Sequence, residues 1–401
     1  MRASQNSSSG RPQPSSRLGR KPSLSIALML ESDGPGGAER MLIHLAEELR
    51  SRGHDVCPVG PENGVRWLAD QLQARGFRRE VFRLRHPLDV RCVADLRGIF
   101  RDRKIDIVHS HEFTMAVFGA AAAKLSNLPH FITLHGGTYW GKRRRRRAAT
   151  RWAFRNSNGI IAVSEPYRQT IATVLGVSES RLSVVPNGIP IEAGDREPVR
   201  ADLDLADSDV LMVAVGNLYP VKGHRFLIEA AGNLPRESGW KLVIAGRGEE
   251  ESRLRNLIER YDLTDRVHLL GLRDDIPNLL AAADIFVMPS LSEGLPLALL
   301  EAMAAGTSIV ASAVGGIPEV TGRDRGGITV PAGEIEALTH ALNGLLLEPE
   351  KRARMAKDAR QAFDTSPFHL EKMADAYEAM FLSAHPATAD MTLGKPSTAA
   401  A

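Results

Sequence analysis

Four side chains in this sequence have the types and settings for work on a charged, hydroxyl-rich ligand. Glu293 and Glu301 stand in the stretch SLSEGLPLALLEAMAAG (Ser290 to Gly306), with seven residues between them. Carboxylates accept hydrogen bonds from hydroxyls, so two of them near the carboxyl end of a strand can read a polar ligand. Glu301 falls in a run that is otherwise almost wholly apolar, where an unpartnered carboxylate is costly. A polar ligand or a buried partner is implied. Glu293 precedes that run, where free N–H groups and the helix dipole favour an anion, and a plain helix cap is the alternative reading for it. Lys222, in GNLYPVKG, can set an ammonium on a phosphate while Gly223 lets the backbone come close. An ordinary surface lysine is the alternative there. His135 ends HFITLHGG beside Gly136 and Gly137, which puts an imidazole at a strand's carboxyl edge. His109 and His111 end the preceding strand in the same way, but the sequence offers no third ligand to make them a metal pair.

The elements that must position these groups alternate along the chain. IFVMPS (285–290) is short and apolar enough for a buried parallel strand, and Leu297 to Ala305 reads as a helix of strong formers stopped by Gly306. Before it, a first unit of roughly 21–187 carries strand patterns at SIALML, DVCPVG, EVFRL, DIVHSH, HFITLHG and GIIAVS. The loop after SIALML holds Gly34, Gly36 and Gly37 ahead of an amphipathic helix from Ala38 to Arg50, a setting in which backbone N–H groups can approach a phosphate. Its spacing fits neither the dinucleotide fingerprint nor the P-loop. A segment rich in Pro, Gly and charge, 191–206, reads as a linker, and alternation restarts at VLMVAVGN, KLVIAGRG, RVHLLG, IFVMPS, SIVASAVGG and ITV. The expectation is an α/β chain of two doubly wound, Rossmann-like domains, 22–190 and 207–366, facing a cleft that holds the active site.

Composition narrows the class. The 401 residues are 43% hydrophobic and 25% charged, with only Cys57 and Cys92, so a disulfide framework and a cysteine metal site are disfavoured and a reducing cytoplasm fits. No apolar run reaches the length of a membrane span, and the N-terminus lacks the apolar core of a signal peptide. Residues 1–21 read as a disordered basic leader and 384–401 as a loose tail. The net charge is only +3, yet five consecutive arginines, Arg143 to Arg147, open GKRRRRRAATRWAFR with Trp140, Trp152 and Phe154 beside them. A solvated helix with one apolar face is the bland reading. Attraction to an anionic membrane surface is the stronger functional one, and nucleic acid is disfavoured because no recognised binding motif accompanies the run.

Beyond these local readings, the order GNLYPVKGHRFLIEA, LVIAGRGEE, VHLLGLRDDIPNLLAAADIFVMPSLSEGLPLALLEAMAAGTSIVAS and VGGIPEV resembles the nucleotide-sugar domain of retaining family 4 glycosyltransferases. The first unit is similar too, through its GPGGAE loop, TLHGG strand end, IAVSE and VVPNGI. The resemblance implies the glycosyltransferase B fold, a nucleoside diphosphate sugar as donor, a glycan or lipid-linked acceptor, and no metal or other cofactor. It implies that Glu301 holds the donor ribose and that Glu293, with the backbone at Gly294 and Leu295, holds the transferred sugar. Lys222 would neutralise the diphosphate with help from Gly36 and Gly37, His135 would position the sugar's hydroxyls, and the backbone near Leu272 and Arg273 would read the base. Gly246, Arg247 and Asn217 complete the expected donor set. Many members carry arginine where this chain has Asn217, which brings no charge; Arg247 on the neighbouring strand end is the sequence's candidate to replace it. The last helix, 367–383, is expected to return to the first domain. A nucleotide-sugar epimerase of the same fold, or a binding module built on the arginine run, are the rival functions. Peripheral association with the inner face of the membrane would serve polysaccharide or glycolipid biosynthesis.

Overall fold

The computed structural model describes residues 22–32, 34–62, 66–85, 89–137, 141, 143–322 and 326–385. The leader 1–21, the tail from 386 onward and Trp140 lie outside the described residues.

The first sheet has seven strands: β1 (Ser25–Met29), β2 (Asp55–Pro61), β3 (Glu80–Phe82), β4 (Ile107–His111), β5 (His130–Leu134), β6 (Gly159–Ala162) and β7 (Leu182–Val184). Their order is β3-β2-β1-β4-β5-β6-β7, and every pairing is parallel. The second sheet has six: β8 (Val210–Val215), β9 (Trp240–Ala245), β10 (Val267–Gly271), β11 (Ile285–Met288), β12 (Ser308–Ser312) and β13 (Gly327–Val330), in the order β10-β9-β8-β11-β12-β13 and again parallel. The central strands are buried on both faces, as a sheet covered by helices on each side requires, largely by apolar side chains but with His109, Ser110 and His111 of β4 buried among them. Strand order reverses between β1 and β4 in the first sheet and between β8 and β11 in the second. Loops leaving the carboxyl ends of strands on either side of such a reversal splay apart and leave a crevice. The loops after β1, β8 and β11 carry Gly36, Lys222 and Glu293 respectively, and the loop after β5, next to β4, carries His135.

Two expectations need correction. β7 was not anticipated: three residues with only Leu182 fully buried are too short for a periodic signal. The segment read as a linker contains a helix, Glu197–Asp202, whose Arg200 is buried and donates to the carbonyls of Ala206 and Asp209 at 2.7 and 2.9 Å and to Asp284 at 3.3 Å. Those partners fasten it to the second sheet, so the free connection is shorter than its composition implied.

The last helix, Leu370–Ala384, leaves the second domain and packs on the helix Gly37–Ser51 of the first. Tyr377 and Phe381 are fully buried there, the Tyr377 hydroxyl meets Thr133 Oγ1 at 3.0 Å, and Arg52 bridges to Asp375 and Glu378 at 2.7 and 3.1 Å. The two chain crossings between domains lie side by side, with Ile189 N–H donating to Phe368 O at 2.9 Å and Leu370 N–H to Ile189 O at 3.0 Å.

Candidate active site

The cleft between the two sheet edges encloses about 360 Å³, and its lining includes Gly36, Gly37, His135, Asn217, Lys222, Gly246, Leu272, Arg273, Glu293, Gly294, Leu295 and Glu301. Arg247 is the one member of the expected donor set that does not line it. Its side chain is exposed, while its backbone carbonyl accepts from Leu218 N–H at 3.0 Å.

On the second domain's wall, Glu293 makes no cap for the helix Leu297–Ala305, which starts at Pro296 without a side-chain cap. The capping alternative therefore gives way. Glu293 Oε1 instead accepts from Lys222 Nζ and from Ser290 Oγ, both at 2.7 Å, and its side chain is only 8% exposed. An ion pair this sheltered is screened far less than a surface pair. Lys222 ends a short 3-10 turn, Pro220–Lys222, and Gly223 follows with φ of 67°. A side chain at Gly223 would collide with the Pro289 carbonyl, so this glycine serves the close approach of the β8 and β11 loops to each other. That approach is what brings Lys222 to Glu293. Gly246 is fixed by the same logic, since a Cβ there would strike the Gly216 carbonyl.

Glu301 lies about one turn into its helix and points into the other end of the cleft. No side-chain hydrogen bond or ion pair holds it among the described residues. Burial raises its pKa above the ordinary carboxyl value, with the Arg40 charge opposing that rise and Glu192 adding to it. Arg273 forms a bidentate pair with Asp275 at 2.7 and 2.5 Å, which holds the Asp275 carboxyl below its usual range.

The first domain's wall is neutral near its centre. Burial pushes the His135 imidazole down to about 4, and His109 and His111 beneath it are lowered as well. His111 Nδ1 lies 2.9 Å from His135 Nε2, the rings stack 5.2 Å apart, and His111 Nε2 is buried with no hydrogen-bond partner among the described residues. A bare buried lone pair is tolerated better than a bare buried N–H. The network therefore places the proton on His111 Nδ1, where it donates to His135 Nε2, and leaves His135 Nδ1–H free to donate to a hydroxyl. His109 contacts Thr133 Oγ1 at 2.8 Å. Glu112, with φ of 64°, accepts from the His135 backbone N–H at 2.9 Å; a non-glycine residue in this conformation is local strain that fixes the loop.

The walls touch at one end. A Cβ on Gly294 would strike the His135 carbonyl, and one on Gly136 would lie 3.1 Å from Gly294 N. Only two bare backbones can cross so closely, and the crossing holds Glu293 beside the His135 loop. Asn187 Nδ2 donates to Leu295 O at 2.7 Å, and Asn217 Nδ2 donates across the cleft to Pro35 O at 2.8 Å. Arg40, Ser290 and Asn187 were not singled out in the sequence. Asn187 and Arg40 sit in or next to quoted motifs, but their contacts come from the opposite domain.

Residues 35–193 match the family model Glycosyltransferase Family 4, and residues 195–362 match Glycosyl transferases group 1. Alpha-maltose-1-phosphate synthase of Mycolicibacterium smegmatis is 30% identical over 369 residues, 81% of this chain and 91% of that protein. The chain belongs to the group 1 glycosyltransferases of family 4. This glycosyltransferase is also 29% identical to the UDP-Gal:alpha-D-GlcNAc-diphosphoundecaprenol alpha-1,3-galactosyltransferase of Escherichia coli over 325 residues, 76% of this chain and 84% of the relative. A crystal structure of Anabaena Alr3699/HepE in complex with UDP superposes with a TM-score of 0.79 at 24% identity, covering 90% of this chain and all of that one. The two facing Rossmann-like domains are thus the glycosyltransferase B fold.

Proposed function

We propose that this enzyme moves a hexose, with retention of anomeric configuration, from a nucleoside diphosphate sugar to a hydroxyl of a glycan or lipid-linked acceptor. The observation that carries the reading is the sheltered Lys222–Glu293 pair facing a neutral His135, with the half-buried Glu301 at the far end of the same cleft. In this arrangement Glu301 accepts from the ribose hydroxyls and Glu293 from the sugar. The Lys222 ammonium meets the diphosphate, and the neutral His135 donates from Nδ1 to a sugar hydroxyl. The acceptor hydroxyl attacks the anomeric carbon on the face that the diphosphate leaves. As the bond from anomeric carbon to phosphate oxygen breaks and the new glycosidic bond forms, the acceptor's proton passes to the departing phosphate oxygen. Lys222 and backbone N–H groups stabilise the charge that develops there, a role a divalent cation fills in other transferases, so turnover requires no metal and no other cofactor.

The relatives' printed activities, among them galactosyl transfer to a lipid diphosphate and maltose 1-phosphate synthesis, support a hexosyl donor and leave several acceptor classes to test. A hydrolysis screen across nucleotide sugars, followed by mass spectrometry of products with lipid-linked acceptors, tests the reading. Conversion of the donor to its epimer with no acceptor present would replace transfer by epimerisation.

The arginine run supports a site for this chemistry on the inner face of the cell membrane, in polysaccharide or glycolipid synthesis. In the helix Arg144–Arg155 the residues Thr150, Ala153 and Phe154 are buried, while Arg143, Arg144 and Arg145 are exposed and Trp152 is 40% exposed. Basic side chains beside an exposed tryptophan suit an anionic lipid surface, at about 1 kcal/mol for each nearby charge. No helix among the described residues is long and apolar enough to cross a membrane. Replacing Arg143 to Arg147 by Gln should weaken sedimentation with anionic liposomes, and unchanged sedimentation would remove the membrane from the proposal.

A further inference from the structure

The described residues lining the cleft include three cations, Arg40, Lys222 and Arg273. Two of them already have carboxylate partners, Lys222 on Glu293 and Arg273 on Asp275. Asn217, where the sequence lacks the expected arginine, spends its amide on the Pro35 carbonyl, and Arg247 lies outside the lining. A diphosphate arriving in this cleft would meet, among the described residues of the second domain's wall, only cations already shared with a carboxylate, Lys222 with Glu293 and Arg273 with Asp275.

Arg40 stands on the opposite wall. It lies in the first turn of the helix Gly37–Ser51, directly after the glycine loop, and faces the Glu301 end of the cleft. It is half-buried, and among the described residues its side chain makes no hydrogen bond or ion pair. Its charge is nonetheless felt on both sides: it opposes the burial that raises the Glu301 pKa, and it adds to the burial that lowers His44 to about 4. A half-buried guanidinium that lines the cleft without a side-chain partner among the described residues is arranged for an anion that arrives from outside.

We propose that Arg40 supplies the missing second cation, contributed by the first domain, and binds the phosphate on the nucleoside side of the donor while Lys222 takes the phosphate on the sugar side. This rests on the reading of the cleft as a donor site with ribose on Glu301 and sugar on Glu293. The donor then bridges the two domains through its diphosphate.

The test titrates UDP, GDP and ADP against the wild-type protein, then carries the best-bound diphosphate, its monophosphate and its nucleoside through Arg40→Ala and Arg40→Lys by NMR. Loss of a charge-assisted contact predicts at least about a tenfold weakening of the diphosphate and the monophosphate in Arg40→Ala, with the nucleoside within about twofold. Arg40→Lys should recover much of the loss, and the salt dependence of diphosphate binding should flatten in Arg40→Ala alone. Unchanged monophosphate binding in Arg40→Ala, or an equal loss for the nucleoside, overturns the assignment while leaving the donor site intact. If the wild-type protein binds none of the three diphosphates, the donor reading itself falls, and Arg40 with it.

Discussion

The two walls of the cleft solve different problems. The second domain's wall is charged and sheltered, with Lys222 tied to Glu293 and Glu301 held against its solvation preference. The first domain's wall presents bare backbone at Gly36, Gly37 and Gly136 and an imidazole kept neutral by burial. On the proposed reading, and with Arg40 as the exception at the Glu301 end, the charges that meet a diphosphate are arranged on one body and the groups that approach a sugar closely without repelling it on the other. Electrostatic stabilisation of a leaving group is worth more than a single neutral hydrogen bond, so the two walls should fail very differently when cut.

The largest effect is expected from the charged wall. Lys222→Ala should lower kcat/KM by about 10²-fold or more through lost charge stabilisation at the departing phosphate. Near-normal turnover in that variant would erase the distinction between the walls. Glu301→Gln should raise the donor KM by about tenfold, because a neutral amide is a weaker acceptor for ribose hydroxyls than a carboxylate. The same substitution should raise the melting temperature of the unliganded protein, since burial of that carboxylate is a cost in the empty cleft. A lower melting temperature with an unchanged donor KM would mean that Glu301 is structural. On the neutral wall, His135→Ala should cost about five- to tenfold in kcat, the worth of one neutral hydrogen bond to the sugar.

The smallest effect separates the walls by pH. His109, His111 and His130 are buried and His135 is half-buried in the first domain, all with lowered pKa values, His130 to about 3 and His135 to about 4. A histidine whose folded pKa lies below its unfolded value binds more protons when unfolded. The stability these four contribute is therefore complete above about pH 6.5 and declines as pH falls through the window toward 4. Hydrogen exchange should show protection in β4 and β5 falling over that window before protection in β8 and β11 does. Simultaneous loss in both sheets would show that the acid sensitivity is not local to the first domain.

Much of the charged wall was legible before any coordinates, because Glu301 in an apolar helix and Lys222 after a strand are anomalies of local sequence. The strands with strong apolar runs and the helix ending at Gly306 were legible for the same reason. Features that depend on distant partners were not. Arg200 makes a helix out of a linker through Asp284 and Asp209, and Arg40 gains its meaning only from Glu301 on the other domain. The alternative of a cap for Glu293 survived in the sequence because Lys222 and Glu293 are 71 positions apart and meet only through the close packing at Gly223. His111 was seen as a strand end, and its tie to His135 required the register of β4 against β5.

The helix Leu370–Ala384 also sets an order of events during synthesis. Tyr377 and Phe381 complete the core beneath His109 and Phe131, His54 meets Glu378 on that helix, and Arg52, already paired with Glu48 of its own helix, gains Asp375 and Glu378 there. The ribosome makes these residues after the whole of the second domain. The first domain to emerge is therefore the last to be finished, and until then its surface under the cleft stays open. Chaperone engagement of the nascent chain should persist at the N-terminal domain until the final helix has been released.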